Sequence, residues 1–136
     1  MKFISYRAGF KYALAEPYND RIPIKPAKDI NTWRIKLTRD GDLTITAGYS
    51  WDGPSGPTVD TNNFMRGSLV HDALYELIRA DLLDAKEKDA ADRLLQQMCI
   101  DDGMSSVRAW WVYQGVARFG GSSIRPSAER PVLRAP

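Results

Sequence analysis

A single histidine, His71, stands in this chain, and an acid, Asp72, follows it directly. Histidine is the side chain that changes charge near neutral pH, so a histidine with carboxylates around it is a candidate general base. Neighbours in a helix point about 100° apart, so His71 and Asp72 cannot do the same job. The partner for His71 has to come from elsewhere. Asp92 fits: it lies about as far after a short connection at residues 80–84 as His71 lies before it. In an antiparallel helix pair the two then reach the same height, within about one turn of 5.4 Å. A carboxylate facing an imidazole orients the ring and stabilises its charged form. Upstream, Asp52 sits in a loop of glycines and prolines, residues 48–57, where backbone carbonyls can turn inward. Asp52, Asp72 and the Gly53 carbonyl are hard oxygen donors, which suit calcium better than zinc or copper.

The elements that must position these residues follow from pattern. Phe64 to Arg79 carries Val70, Ala73, Leu74, Leu77 and Ile78 at helical period, with Asn62 or Asn63 as N-cap. A second helix starts at Asp84 or Ala85, with Ala91, Leu94, Leu95 and Met98 as its apolar stripe and Asp102-Gly103 as its stop. A third, capped by Ser105 or Ser106, runs to about Phe119. It carries Val107, Trp110, Trp111, Gln114 and Ala117 on one side, and the two tryptophans are expected in the core. Before the helices, Trp33 to Thr38 and Leu43 to Thr46 alternate around Arg39-Asp40-Gly41-Asp42, a hairpin signature. Phe10 to Leu14 reads as a short strand. Residues 17–30, with Pro17, Pro23 and Pro26, read as extended or irregular. Trp51 either anchors the loop from a buried position or, exposed, suits a membrane interface.

The expected fold is α+β: a β-rich part (1–50), a site loop (48–60) and a three-helix part (64–120) with an antiparallel pair, forming one domain over 1–121. Residues 122–136 form an extended C-terminal arm rich in Pro, Ser and Arg, with no core-forming pattern.

The motif Asp52-Gly53-x-Ser55, then His71-Asp72-x-x-Tyr75, then Ala91-Asp92 resembles bacterial and viral phospholipases A2 over residues 48–99. The resemblance implies a calcium-dependent ester hydrolase acting on a phospholipid or another ester. His71 would be the base that activates water, and Asp92 would hold its other ring nitrogen. Asp72, Asp52 and the Gly53 carbonyl would bind calcium, and the Tyr75 hydroxyl would brace the aspartate. There are departures from that pattern. The chain has one cysteine, so the disulfides of secreted members cannot form, and Pro54 stands where bacterial enzymes often have cysteine. Over most of its length, including Val116-Ala117-Arg118-Phe119-Gly120, the chain also resembles an uncharacterised family encoded by tailed phages and prophages. That resemblance implies the competing function, a catalytically silent tail- or neck-type virion subunit whose arm docks on neighbouring subunits. Taken singly, each residue has a structural reading: a lone histidine is more often structural, Asp-Gly favours turns, and Asp92 could be a solvated helix charge. The ordered set together with Tyr75 carries the catalytic one.

Bulk properties exclude several alternatives. With 136 residues, 43% hydrophobic and 26% charged, the chain suits one soluble domain with its own core. The single Cys99 excludes an intramolecular disulfide and a multi-thiolate zinc site, and its apolar setting predicts a buried thiol. The net charge is +2, and it resides in residues 120–136, where Arg125, Arg130 and Arg134 face Glu129. The rest is balanced, so no nucleic-acid footprint is expected. No apolar run is long enough to span a membrane, and residues 1–20 lack the apolar core of a secretory signal. Synthesis in a host cytoplasm, with virion association as the structural alternative, is expected.

Overall fold

A computed structural model describes residues 4, 6–7, 12–51 and 62–124 of the chain. Two antiparallel sheets precede the helices. The first contains β1 (Tyr6–Arg7), β2 (Tyr12–Leu14) and β7 (Ser50–Trp51) in the order β1-β2-β7, with Tyr12 opposite Trp51. The second contains β3 (Tyr18–Arg21), β4 (Ile30–Asn31), β5 (Ile35–Leu37) and β6 (Asp42–Ile45) in the order β3-β6-β5-β4. β5 and β6 are the expected hairpin. Ile35 and Leu37 point inward while Lys36 points out; Leu43 and Ile45 do the same against Asp42 and Thr44. That alternation is the period of two of a half-buried strand. Within residues 17–30, expected to be extended or irregular, Tyr18–Arg21 is extended and forms β3. Pro17 only precedes the strand, and Tyr18 to Arg21 pair with Ile45 to Asp42 along the free edge of β6.

Three helices follow: α1 (Asn62–Arg79), α2 (Lys88–Asp101) and α3 (Ser106–Phe119). A 3-10 turn, Ala85–Glu87, capped by the Asp84 side chain, introduces α2. α1 is the central element. Met65, Leu69, Val70, Ala73, Leu74, Leu77 and Ile78 join the main core with the sheet residues, while Phe64 packs with Leu95, Cys99, Met104 and Ala109 in a second cluster. A helix buried on most sides needs partners for its polar groups as well. Arg66 supplies the clearest case: Nε and Nη2 donate to Asp102 at 2.9–3.2 Å, and Nη1 donates to the Tyr18 hydroxyl at 3.0 Å and to Asp20 at 3.2 Å. It clamps the second sheet to the α2–α3 turn. Among the described residues no buried side-chain donor or acceptor lacks a partner.

α1 and α2 pack closely because Gly67 has no side chain. A Cβ there would lie 2.9 Å from Leu95 Cδ1 and 3.3 Å from Cys99 Sγ. Cys99 itself is fully buried, and burial pushes its thiol up to about 12, so it packs as a small hydrophobe. Trp51 is buried too, and its Nε1 donates to Ser68 Oγ at 3.0 Å, which ties β7 to α1.

α3 corrects one expectation. Its buried face is Ala109, with Val112 and Val116 partly buried against the second cluster. Val107, Trp110 and Trp111 face outward. The small residues fit against α2, and the bulky ones occupy the opposite side of the same helix. After α3 a 3-10 turn, Gly121–Ile124, packs against α1 and α3, with Ile124 on the main core, so the folded domain reaches three residues into the segment expected to be an arm. Among the described residues no helix is long and apolar enough to cross a membrane.

Candidate functional site

His71 and Asp92 meet at the interface of α1 and α2. Eight residues of α1 separate His71 from Ala80, and the turn at residues 80–84, closed by bonds from Leu82 and Leu83 to the Leu77 carbonyl, reverses the chain, so Asp92 arrives beside it. The ring Nε2 lies 2.7 Å from Asp92 Oδ1. Tyr75, one helical turn after His71, donates its hydroxyl to the same oxygen at 2.5 Å, and its ring lies 4.0 Å from the imidazole, centroid to centroid. The side chain of Asp92 is 1% exposed and that of His71 8%.

The fourth member, Lys88, is not among the residues that the sequence singles out. It opens α2, and its Nζ donates to Asp92 Oδ2 at 2.7 Å, four residues along the same helix. The same ammonium donates to the Val116 carbonyl at 3.1 Å and the Ala117 carbonyl at 3.4 Å, at the C-terminal end of α3, where a cation is favoured. Lysine four residues before an aspartate on a predicted helix is a recognisable pairing signal, and it would have found this contact. Gly120 completes the packing. A Cβ there would come within 2.5 Å of both the Tyr75 hydroxyl oxygen and the Val116 carbonyl, so the chain leaving α3 passes over Tyr75 only as glycine.

The protonation states follow from these contacts. Burial alone would raise the Asp92 carboxyl, but the hydrogen bonds from His71, Lys88 and Tyr75 outweigh it and hold Asp92 below the usual carboxylate range. Burial and then the bond to Asp92 push the Tyr75 phenol well above its ordinary range, so it remains a donor. An ionised carboxylate can only accept, so the ring nitrogen facing it carries the proton. The proton of neutral His71 therefore sits on Nε2, and Nδ1 keeps the lone pair. An imidazole held in this tautomer can take a proton at Nδ1, with the resulting cation next to a carboxylate.

The remaining expected site residues are placed less closely. Asp72 is half-exposed on α1, and its charge contributes, after burial, to raising the Tyr49 and Tyr75 phenols. Asp52 and Gly53 lie outside the described residues. Among the described residues, no group of three or more histidine, cysteine or acidic side chains is arranged to hold a metal ion.

Comparison with known protein families, with curated proteins and with solved structures finds no match for this chain. The functional reading rests on the residues and their geometry.

Proposed function

We propose that the chain is an ester hydrolase of the phospholipase A2 type, with His71 as general base. The observation that supports this reading most is the His71–Asp92–Tyr75 arrangement, in which the ring Nε2 faces a buried carboxylate that also accepts from the Tyr75 hydroxyl. His71 Nδ1 takes a proton from a water molecule as that water attacks the ester carbonyl. The imidazolium formed is stabilised by Asp92, and it returns the proton to the leaving alkoxide as the C–O bond breaks. The products are a carboxylic acid and an alcohol. Asp92 positions the ring and does not itself transfer a proton. Tyr75 holds Asp92 in turn.

The direct test is incubation of the purified protein with phosphatidylcholine and phosphatidylglycerol vesicles in the presence of calcium, with free fatty acid and lysophospholipid measured. Release of both above the uncatalysed rate is expected. Vesicles left intact by folded protein in the presence of calcium would overturn the phospholipase reading.

The resemblance to phospholipases A2 also implies calcium, with Asp72 and the Asp52–Gly53 loop as its ligands. Calcium at about 100 times its dissociation constant should then stabilise the native state by about 2.7 kcal/mol. Thermal melting with and without calcium measures this. No shift, or the same shift in an Asp52→Asn/Asp72→Asn variant, would remove the metal site from the proposal.

A second reading is favoured by Lys88. Its ammonium ties Asp92 to the end of α3, so the contacts of the cluster join all three helices. A buried hydrogen-bonded cluster of this kind serves equally as a brace that specifies one packing. On that reading the chain is a catalytically silent virion subunit of the tail or neck, and residues 125–136 of the expected arm dock on neighbouring subunits. Deleting residues 125–136 would then impair particle assembly while the domain still folds, and normal particles lacking the protein would exclude it.

A further inference from the structure

The outer face of α3 is apolar, aromatic and free of acids. Val107 is 70% exposed, Trp110 46% and Trp111 64%, and the two indoles meet edge to face with centroids 4.9 Å apart. They recur at helical spacing on one side, while Ala109, Val112 and Val116 face the body of the protein. α3 contains Arg108 and Arg118 and no aspartate or glutamate. The charge of the whole chain is divided at the same place. Residues 106–136 hold five arginines and one glutamate, whereas residues 1–105 hold 14 basic and 16 acidic residues.

We propose that this face of α3 docks the protein on an anionic phospholipid surface. Indole is the side chain that gains most at the boundary between headgroups and acyl chains, because its ring is apolar and its N–H still finds a partner there. Helices that lie in that boundary combine such a face with arginine or lysine and a modest overall hydrophobicity. The basic excess of residues 106–136 complements an anionic surface and falls off in effect with salt. A second copy of the chain fits less well. Two half-exposed indoles and a valine offer on the order of 300 Å², against the roughly 800 Å² per partner of a stable interface, and two copies would bring like charges together.

The inference stands on the outer face of α3 and the basic excess of residues 106–136, and it does not require His71 to be catalytic. The test is co-flotation with vesicles of equimolar phosphatidylcholine and phosphatidylglycerol, beside vesicles of phosphatidylcholine alone. Wild type should bind the anionic vesicles, and more weakly at high salt. Trp110→Ser/Trp111→Ser should bind at least about tenfold less while melting as wild type does, because both side chains are exposed. Arg118→Glu, which leaves the indoles in place, should also bind less. His71→Gln should bind as wild type does, so a silent hydrolase leaves the result unaffected. Absence of wild-type binding, or equal binding by the double tryptophan variant, would overturn the proposal. So would sedimentation showing a dimer that the same variant dissociates.

Discussion

Replacing His71 with glutamine is expected to lower ester hydrolysis by about 10²–10⁴-fold with the fold retained. Glutamine can still place an N–H toward the Asp92 oxygen that the ring Nε2 now faces at 2.7 Å, so the buried carboxylate keeps a donor. It has nothing equivalent to Nδ1, the lone pair that would take the proton from water. The substitution thus separates the hydrogen-bonding role of His71 from its basicity. Fatty-acid release by the two proteins on the same vesicles measures the contribution of the basic nitrogen, and a melting curve measures that of the hydrogen bond. Equal rates with equal melting temperatures would leave the cluster as a brace. A variant that melts much lower would be compared at a temperature where both are folded. A loss mainly in kcat, with KM little changed, is the expected pattern for a group whose contribution arises in the transition state.

Much of this site was legible before any coordinates, and the reasons are specific. His71 and Asp92 could be paired from the sequence because helical period and a short connection determine both height and facing direction; no long-range information is needed. The β5–β6 hairpin is local in the same sense: alternation and the turn residues define it together. What escaped depends on partners distant in sequence. Tyr18 to Arg21 lies among prolines and becomes a strand only because β6 offers an open edge. Arg66 looks like a solvated helix charge until Asp20, Tyr18 and Asp102 converge on it from two other parts of the chain. α3 misled for a different reason. Two tryptophans suggest a core face by size, yet the side that packs is made by Ala109, Val112 and Val116, whose smaller volumes permit the approach to α2. Lys88 was within reach, since its spacing to Asp92 is a local signal. Its second role, on the carbonyls at the end of α3, was not.

Asp92→Ala is expected to destabilise the fold by about 3–5 kcal/mol, the range for removing one partner of a buried ionic cluster. The size follows from how many groups would be orphaned. Asp92 accepts from His71 and Tyr75 at Oδ1 and from Lys88 at Oδ2. His71 and Tyr75 are buried and cannot turn to bulk water without disturbing α1, so both would lose a partner they cannot replace. Lys88→Met should cost less, about 1.5–3 kcal/mol, the range for a hydrogen bond to a charged group. Its side chain is 19% exposed, Asp92 would keep two donors, and the end of α3 would lose one cation. A typical domain is stable by about 5–15 kcal/mol, so Asp92→Ala should lower the melting temperature by roughly 10–20 °C. The pH dependence provides a second measurement of the same group. Because its partners hold the Asp92 carboxyl below its unfolded value, its contribution is fully present above that value, about 3.9. It is lost as the pH falls through the folded value. Wild type should therefore lose stability in acid more steeply than Asp92→Asn, which has no charge to lose, and the two denaturation curves should converge at low pH. Parallel curves for the two proteins, or an Asp92→Ala protein as stable as Lys88→Met, would show that Asp92 does not hold the three helices' polar side chains together.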